Sequence, residues 1–541
     1  MAFPASSSAA HARAQARSMV ITTRGVVATE QTLASQVGAQ VLARGGSAVD
    51  AAIAANAALS VVEPMMNGPG GDLFALIWES KSGRLTAINA SGWSPNGLSL
   101  DYLKQQGVSG GIHTVTVPGC VDGWEKLHQR FGRLAWSDLF KPAIYYAKNG
   151  FPVTELIQWE WENSSVNLQD EAREVYLPGG AAPRVGEIFR NPQLAHAFRL
   201  IAEQGAQAVY RGPIGEAILK TSKRYGGTMT GDDLREYQSE WVQPISTSYR
   251  GWRVYEVPPN GQGIGTLQML NILENFPLGD YPPGSAEAFH FKIEAQKLAT
   301  QDLRRYVGDP RHASIPVDGL LSKAYAKQRA ALIHREKANC DTAPGKPEQG
   351  HTTYLAAADK DGNVVSWIQS IANFFGSGIL VDGMGFPLHD RGASFDFEPG
   401  HPNALGPRKR PFHTIIPGFM QIGSRHIAFG IMRGMNQAQA QMQLVSNIAD
   451  HGMNIQYALE APRFTRPSLG GCEVQIESRV PEDARSELAR RGHRLSVVGE
   501  YSEYMGGGQV VMHDSASQVN YGASSPRKDG AAIPEPDPYF E

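Results

Sequence analysis

Apolar residues along this chain recur in two rhythms, with a change near residue 350. Before it, helical spacing prevails. Thr29 or Thr32 is placed to cap a helix running through Val41 and Leu42, and Gly45-Gly46 stops it. Ser47-Ala48-Val49-Asp50 has the spacing of a capping box and opens an Ala-rich helix to about Val62, ended by Glu63-Pro64. So little polar surface predicts a buried helix. Helical periodicity returns at 194–204 and 286–306. Gly68-Pro69-Gly70-Gly71 reads as a turn leading into a strand at 73–78. The Gly-rich stretch 258–265 reads as a turn before a helix, because no Gly-Lys-Ser/Thr closes it as a P-loop. Beyond residue 350 the period shortens. Strands are expected at 354–358, 364–370, 378–381, 425–430 and near 509–513, with helices at 438–451 and 482–491. Helices dominating before the change and strands clustering after it suit a sheet-on-sheet core with outer helices, an α+β class.

Length and composition narrow the function. A chain of 541 residues implies several domains or one large layered unit. With 42% hydrophobic and 19% charged residues it has globular composition, and a net charge of −3 offers no basic footprint for nucleic acid. No apolar run reaches the roughly 18 residues of a membrane helix. Cys120, Cys340 and Cys472 are far apart and odd in number, so neither a disulfide framework nor a Cys-based zinc site is implied, and the His residues show no metal-ligand spacing. No cofactor or metal is expected. Residues 1–19 are Ala/Ser-rich with Arg13 and Arg17 and lack a secretory apolar core, so a disordered tail and a cytoplasmic protein are expected, with a transit peptide as the alternative.

The candidate chemistry sits where the rhythm changes. Thr352-Thr353 opens a strand directly after a Pro/Gly-bearing segment with Pro344, Gly345 and Pro347. Thr at a strand start is ordinary. If the His351–Thr352 bond is cut, however, Thr352 becomes an N-terminus, and its hydroxyl gains its own α-amino group as a base. Such an amine has a pKa of about 7.7–8.0 and is one known activator of a Thr nucleophile.

Taken with other stretches, this segment resembles the γ-glutamyltransferase family of N-terminal-nucleophile hydrolases. The resemblance rests on an ordered set: Gly45-Gly46-Ser47-Ala48-Val49-Asp50; Val62-Glu63-Pro64 with Gly68-Pro69-Gly70-Gly71; Val117-Pro118-Gly119; Thr352-Thr353 with Asp359-Lys360-Asp361-Gly362-Asn363; Phe375-Gly376-Ser377-Gly378; Pro407-Arg408-Lys409-Arg410-Pro411; Ala461-Pro462-Arg463; and Ser525-Pro526-Arg527-Lys528-Asp529-Gly530. It implies a four-layer αββα sandwich made as a proenzyme and self-cleaved into a large subunit, 20–351 after the tail, and a small subunit, 352–541, sharing one core. It also implies a small-molecule amide substrate, with water or an amine as acyl acceptor. By position, Thr352 is the nucleophile, Ser370 the hydroxyl beside it, and Arg433-Gly434 the turn whose N–H groups hold the oxyanion.

The pocket departs from the family pattern. Where relatives acting on γ-glutamyl groups clamp the α-carboxylate with an early Arg, this chain has Ser91. The acidic position reads Ser394, the amide position Ala372 with Asn373 adjacent, and the paired serines His413-Thr414. Losing a bidentate Arg is not conservative. The resemblance implies γ-glutamyl compounds such as glutathione. The departures set beside it, as the alternative, a small acidic amide without the α-amino group, glutaryl or oxamate in type. An inactive binding relative is the alternative of another class. Arg433, His413, Arg391 and His389 are the candidate anion readers, with Arg433 and His413 preferred.

Overall fold

Alternating apolar strands need a second sheet to cover them, and two sheets of this length need helices outside. The computed structural model, which describes residues 15–341, 351–468 and 470–539, has that arrangement. The sheet strands are β1 Val20–Thr22, β2 Val26–Thr29, β3 Asp72–Glu79, β4 Arg84–Ala90, β5 Glu240–Val242, β6 Ile245–Tyr249, β7 Trp252–Glu256, β8 His351–Ala358, β9 Val364–Ala372, β10 Gly418–Ile422, β11 Arg425–Ile431, β12 Gly508–Asp514, β13 Val519–Ser524 and β14 Ala531–Pro534. Antiparallel pairing orders one sheet β1-β13-β12-β11-β10-β7-β6 and the other β14-β2-β8-β9-β3-β4-β5. The layered αββα expectation holds. Strands are denser from Thr352 onward, as expected, although β1 to β7 of the two sheets precede it.

The face each residue takes follows the two-residue period of the strand. Along β8, Tyr354, Ala356 and Ala358 enter the layer between the sheets with Phe74, Leu76, Ile368 and Phe419. Leu355 and Ala357 face outward against α1 Thr32–Ala43 and α2 Ala48–Val62. The opposite outer layer is α3 Gly263–Leu273, α4 Ala286–Tyr306 and α5 Asn436–Ala449. Gly430 of β11 lies so close to Tyr354 that a Cβ there would meet the ring at 2.3 Å, which sets the spacing of the sheets at this point.

The capping box forms as expected: Ser47 Oγ accepts from the Asp50 N–H at 3.1 Å, and Asp50 Oδ2 accepts from the Ser47 N–H at 2.9 Å. Asp50 also accepts from the Arg133 N–H at 2.8 Å, and α2 is buried along its length. Three expectations change. The cap of α1 is Gln31, whose Oε1 accepts from the Leu33 N–H at 2.6 Å, because Thr29 Oγ1 is spent on the Gln31 carbonyl. Residues 378–381 form no strand, only a bridge between Leu380 and Pro387, which has no N–H to extend a ladder. Cys340 and Cys472 form a disulfide with Cα atoms 4.9 Å apart, a pairing that a separation of 132 residues conceals in the sequence. Of the expected tail, residues 1–14 lie outside the described residues, and the Arg17 N–H donates to Glu460 at 2.9 Å.

A buried charge knot anchors the start of β8. Lys528 Nζ donates to Glu160 at 2.5 Å and to Glu63 at 3.2 Å, with Glu30 at 3.9 Å. Those carboxylates in turn hold β8: Thr353 Oγ1 donates to Glu63 at 2.8 Å, and the Tyr354 N–H donates to Glu30 at 3.1 Å. Burial raises all three carboxyls above their ordinary range, Glu160 to about 7, with repulsion from Glu63 adding to the rise at Glu30 and Glu160. For Lys528, burial opposes the charge but the three glutamates outweigh it and hold its pKa up. Because the fold raises Glu160 above its unfolded value, its contribution is full at pH below about 4.5 and is lost as pH rises through 7. Removing one partner of a buried ion cluster costs about 3–5 kcal/mol. Lys528→Met is therefore expected to destabilise by that order at pH 8 and by distinctly less at pH 5, where Glu160 holds a proton. Urea unfolding at both pH values measures this, and an equal loss at the two would refute it.

Candidate active site

The site is assembled where β8, β9, β3 and the entry to α5 meet between the sheets. Pairing of β8 with β9 runs Thr353↔Gln369 and then His351↔Ala372, so Ser370 and Ile371 together oppose the single residue Thr352. Such a bulge re-aims side chains and is common beside active sites. Thr352 and Ser370 are both fully buried. Gln437, at the start of α5, donates from Nε2 to Thr352 Oγ1 at 3.2 Å, while its Oε1 accepts from the Ile416 N–H at 3.2 Å. The second bond fixes which way the amide faces. With a donor already on its oxygen, the Thr352 hydroxyl is left to give its own proton elsewhere.

Between β11 and α5 the chain turns through Arg433, at φ +101°, and Gly434, at φ +47°. The left-handed region favours glycine, yet Arg433 occupies it because the surroundings determine the turn. The Asn436 N–H donates to the Arg433 carbonyl at 3.0 Å, and Gln262 Nε2 donates to the carbonyls of Gly434 at 2.8 Å and Thr414 at 2.6 Å. Among the described residues, the N–H groups of Arg433 and Gly434 have no acceptor. They stand at the positive end of α5, as an oxyanion site requires. The Arg433 side chain points away from this turn. Its guanidinium pairs with Glu503 and lies 4.6 Å from the centre of the Tyr504 ring.

Arg391 enters from the other side. It is 1% exposed, yet it donates from Nη2 to Ser370 Oγ at 3.1 Å and from Nη1 to Thr414 Oγ1 at 2.8 Å. The hydroxyls fix the guanidinium beside Ser370, where its charge also acts on the Asp72 carboxyl. His413 is the less suitable reader. Burial, and then the charge of Arg391, push it down to about 3, so it is neutral at pH 7 and engaged with Asp72 Oδ2 at 3.0 Å. Asp72 lies opposite Ser370 on β3 and also takes the Gly92 N–H at 2.9 Å, with His389 at 3.5 Å. Burial acts to raise its carboxyl, but His389, His413 and Arg391 together hold it below the usual range.

The remaining candidates are divided. Ser91 is spent on Asn89 at 2.7 Å and on Asn260 at 3.2 Å. Ser394 ends the short turn that carries Arg391, and its carbonyl accepts from Asn403. Asn373 donates to Asp390 at 2.6 Å and lines a cleft of about 770 Å³ with Arg433, Trp159, Phe374 and Tyr504. Thr352 is not part of that cleft lining; the cleft meets the buried site at Asn373, Asp390 and Arg433. Asp72 and Gln437 were not singled out from the sequence. Asp72 follows the Gly-rich turn, and Gln437 follows Gly434 by three positions, which are the only local cues.

One cluster among the described residues, His290, Glu294 and His493, has the residue types of a metal site. Its groups serve one another instead. The imidazoles bond at 2.8 Å, and Glu294 is paired with Lys297 at 2.6 Å, so a cation there would meet an ammonium.

The gamma-glutamyltranspeptidase family model matches residues 34–535. The chain is 37% identical to the glutathione hydrolase-like YwrD proenzyme of Bacillus subtilis, covering 95% of this chain and 99% of that one. It is 34% identical to the acylase ACY 1 proenzyme of a Pseudomonas species, over 94% and 93%, and 32% identical to the oxamate amidohydrolase proenzyme of Klebsiella pneumoniae, over 95% and 98%. The crystal structure of cephalosporin acylase from Bacillus halodurans superposes with a TM-score of 0.89 at 39% identity, covering 99% of this chain and 100% of that one. With a whole-length match and the fold to go with it, the chain belongs to the gamma-glutamyltranspeptidase family and is an enzyme of the N-terminal-nucleophile hydrolase class.

Proposed function

We propose that this chain is a proenzyme that cuts itself between His351 and Thr352 and then hydrolyses the amide of a small acidic acyl group. In maturation, Thr352 Oγ attacks the His351 carbonyl carbon. The C–N bond breaks, the nitrogen takes up the hydroxyl proton to become the new α-amine, and water hydrolyses the resulting ester to a His351 carboxylate and a free hydroxyl. In turnover the α-amine takes the hydroxyl proton while Oγ bonds to the substrate carbonyl. The N–H groups of Arg433 and Gly434 stabilise the oxyanion, each such donor typically contributing about 2.7–4 kcal/mol. The leaving amine departs with the proton, and water, or an amine acceptor, releases the acyl group. The proenzyme names of the relatives support the maturation step.

The observation that carries the substrate reading is Arg391, buried against Ser370 and Thr414 with its neighbours Asp390 and Ala393 in the cleft wall. It replaces the missing early Arg from a different element. Because Ser91 is tied to Asn89 and Asn260, nothing at the early position grips a carboxylate. The acylase and oxamate amidohydrolase relatives favour the same acyl class. A γ-glutamyl substrate is the second reading, favoured by Asp390, a carboxylate in the cleft lining held by Asn373 and of the charge an α-ammonium requires.

Purified protein is expected to run as two polypeptides on a reducing gel, the smaller beginning Thr-Thr-Tyr-Leu-Ala. Thr352→Ala is expected to remain one chain without activity; a cut or active alanine variant overturns the mechanism. The acyl preference is read by comparing glutaryl-, γ-glutamyl- and butyryl-p-nitroanilide. Losing a charged hydrogen bond removes about 1.5–3 kcal/mol. Arg391→Met is therefore expected to lower kcat/KM on the glutaryl substrate by roughly ten- to a hundredfold, with a much smaller effect on the neutral butyryl one. An equal loss on both would show that Arg391 does not read the acid.

A further inference from the structure

The segment just upstream of the proposed cut is docked on residues that follow it. The Ala338 N–H donates to the Arg491 carbonyl at 2.7 Å, and Cys340 Sγ lies 3.7 Å from the Gly492 carbonyl. The Asn339 N–H donates to Glu294 at 3.2 Å, while Lys297 Nζ donates to the Asn339 carbonyl at 2.8 Å. Lys297 also reaches Cys472 Sγ at 3.4 Å, and the Cys472 carbonyl accepts from the Arg494 N–H at 2.9 Å. The Cys472 backbone and the two residues preceding Cys340 are thus held in place by contacts independent of sulfur. Their Cα separation of 4.9 Å falls within the range that a disulfide spans. The third cysteine, Cys120, is buried and free, and burial pushes its thiol up, out of reach of exchange.

We propose that Cys340–Cys472 holds the two polypeptides of the mature enzyme together covalently, across the cut. The proposal rests on the cleavage reading for its consequence but not for the bond itself. Cys340 lies on the N-terminal side of the His351–Thr352 bond and Cys472 on the C-terminal side, so scission leaves this bridge as the covalent link between them. The bond forms by thiol–disulfide exchange with a low-molecular-weight disulfide. That reagent takes up the two electrons and two protons of the cysteine thiols and leaves as two thiols. Cutting the chain turns the packing of its two parts into an association between separate molecules. The bridge makes it intramolecular again, so the subunits stay together on dilution. The link persists where thiols are not kept reduced.

The test uses the full chain. Purified protein is alkylated with N-ethylmaleimide before denaturation and run with and without dithiothreitol. One full-length band without reductant and two with it are expected, while Cys340→Ser and Cys472→Ser should each give two bands in both lanes. Two wild-type bands without reductant overturn the bridge. One band even with reductant tells against cleavage instead. Tryptic mapping of the uncut Thr352→Ala chain then decides on the bond alone: a linked peptide holding Cys340 and Cys472 supports it, and two separately alkylated peptides overturn it.

Discussion

Everything at the site is referenced to the register of β8. A strand has a period of two, so a slip of one residue would exchange its inner and outer sets. Thr352 and Tyr354 would then face the helices, and Thr353 would face the opposing sheet. Register is secured from both sides. Toward the helices, Thr353 is tied to Glu63 and the Tyr354 backbone to Glu30. Toward the other sheet, the Tyr354 ring sits over Gly430, and its hydroxyl meets Ser366 at 2.8 Å. Burying three carboxylates is unfavourable in itself, and Lys528 makes it tolerable. The apolar layer fixes which face β8 presents, and the charge knot fixes how far along the sheet it sits.

From that reference the chemistry follows by contact. The bulge sets Ser370 and Ile371 against Thr352, Gln437 reaches Thr352 from α5, and Gln262 ties the Gly434 turn to Thr414. Arg391 then bridges Ser370 and Thr414. Thr352, the turn at Arg433 and Gly434, and Arg391 are thereby linked through hydrogen bonds among buried groups. Such networks are rigid only when nearly every member is satisfied.

Local signals in the sequence were informative where structure is local. The capping box at Ser47 and Asp50, the buried α2, the long helix α4 and the strands flanking the 361–363 turn were legible because each is decided within a few residues. The alternation of β8 and β9 and the position of Thr352 were legible for the same reason. The charge knot was not, because it joins residues 30, 63, 160 and 528. Neither was Asp72, whose His partners come from 389 and 413, nor the bridge between Cys340 and Cys472. Arg391 was visible as a candidate, but preference fell on Arg433 and His413. Only three-dimensional contacts show that Glu503 engages the first and that burial neutralises the second.

The pairing of Arg433 with Glu503 has a bearing on selectivity. Arg433 and Glu503 offset each other in the cleft lining, where amide and hydroxyl groups and the rings of Trp159, Phe374 and Tyr504 leave the Asp390 carboxylate as the one further charged group. An approaching molecule therefore meets one further charge in the lining, the Asp390 carboxylate, before it reaches the buried Arg391. Under the proposed mechanism, such an arrangement would screen the portion of the substrate that becomes the acyl group and be lenient toward the portion that leaves. A single active centre built this way can process many amines attached to one kind of acid.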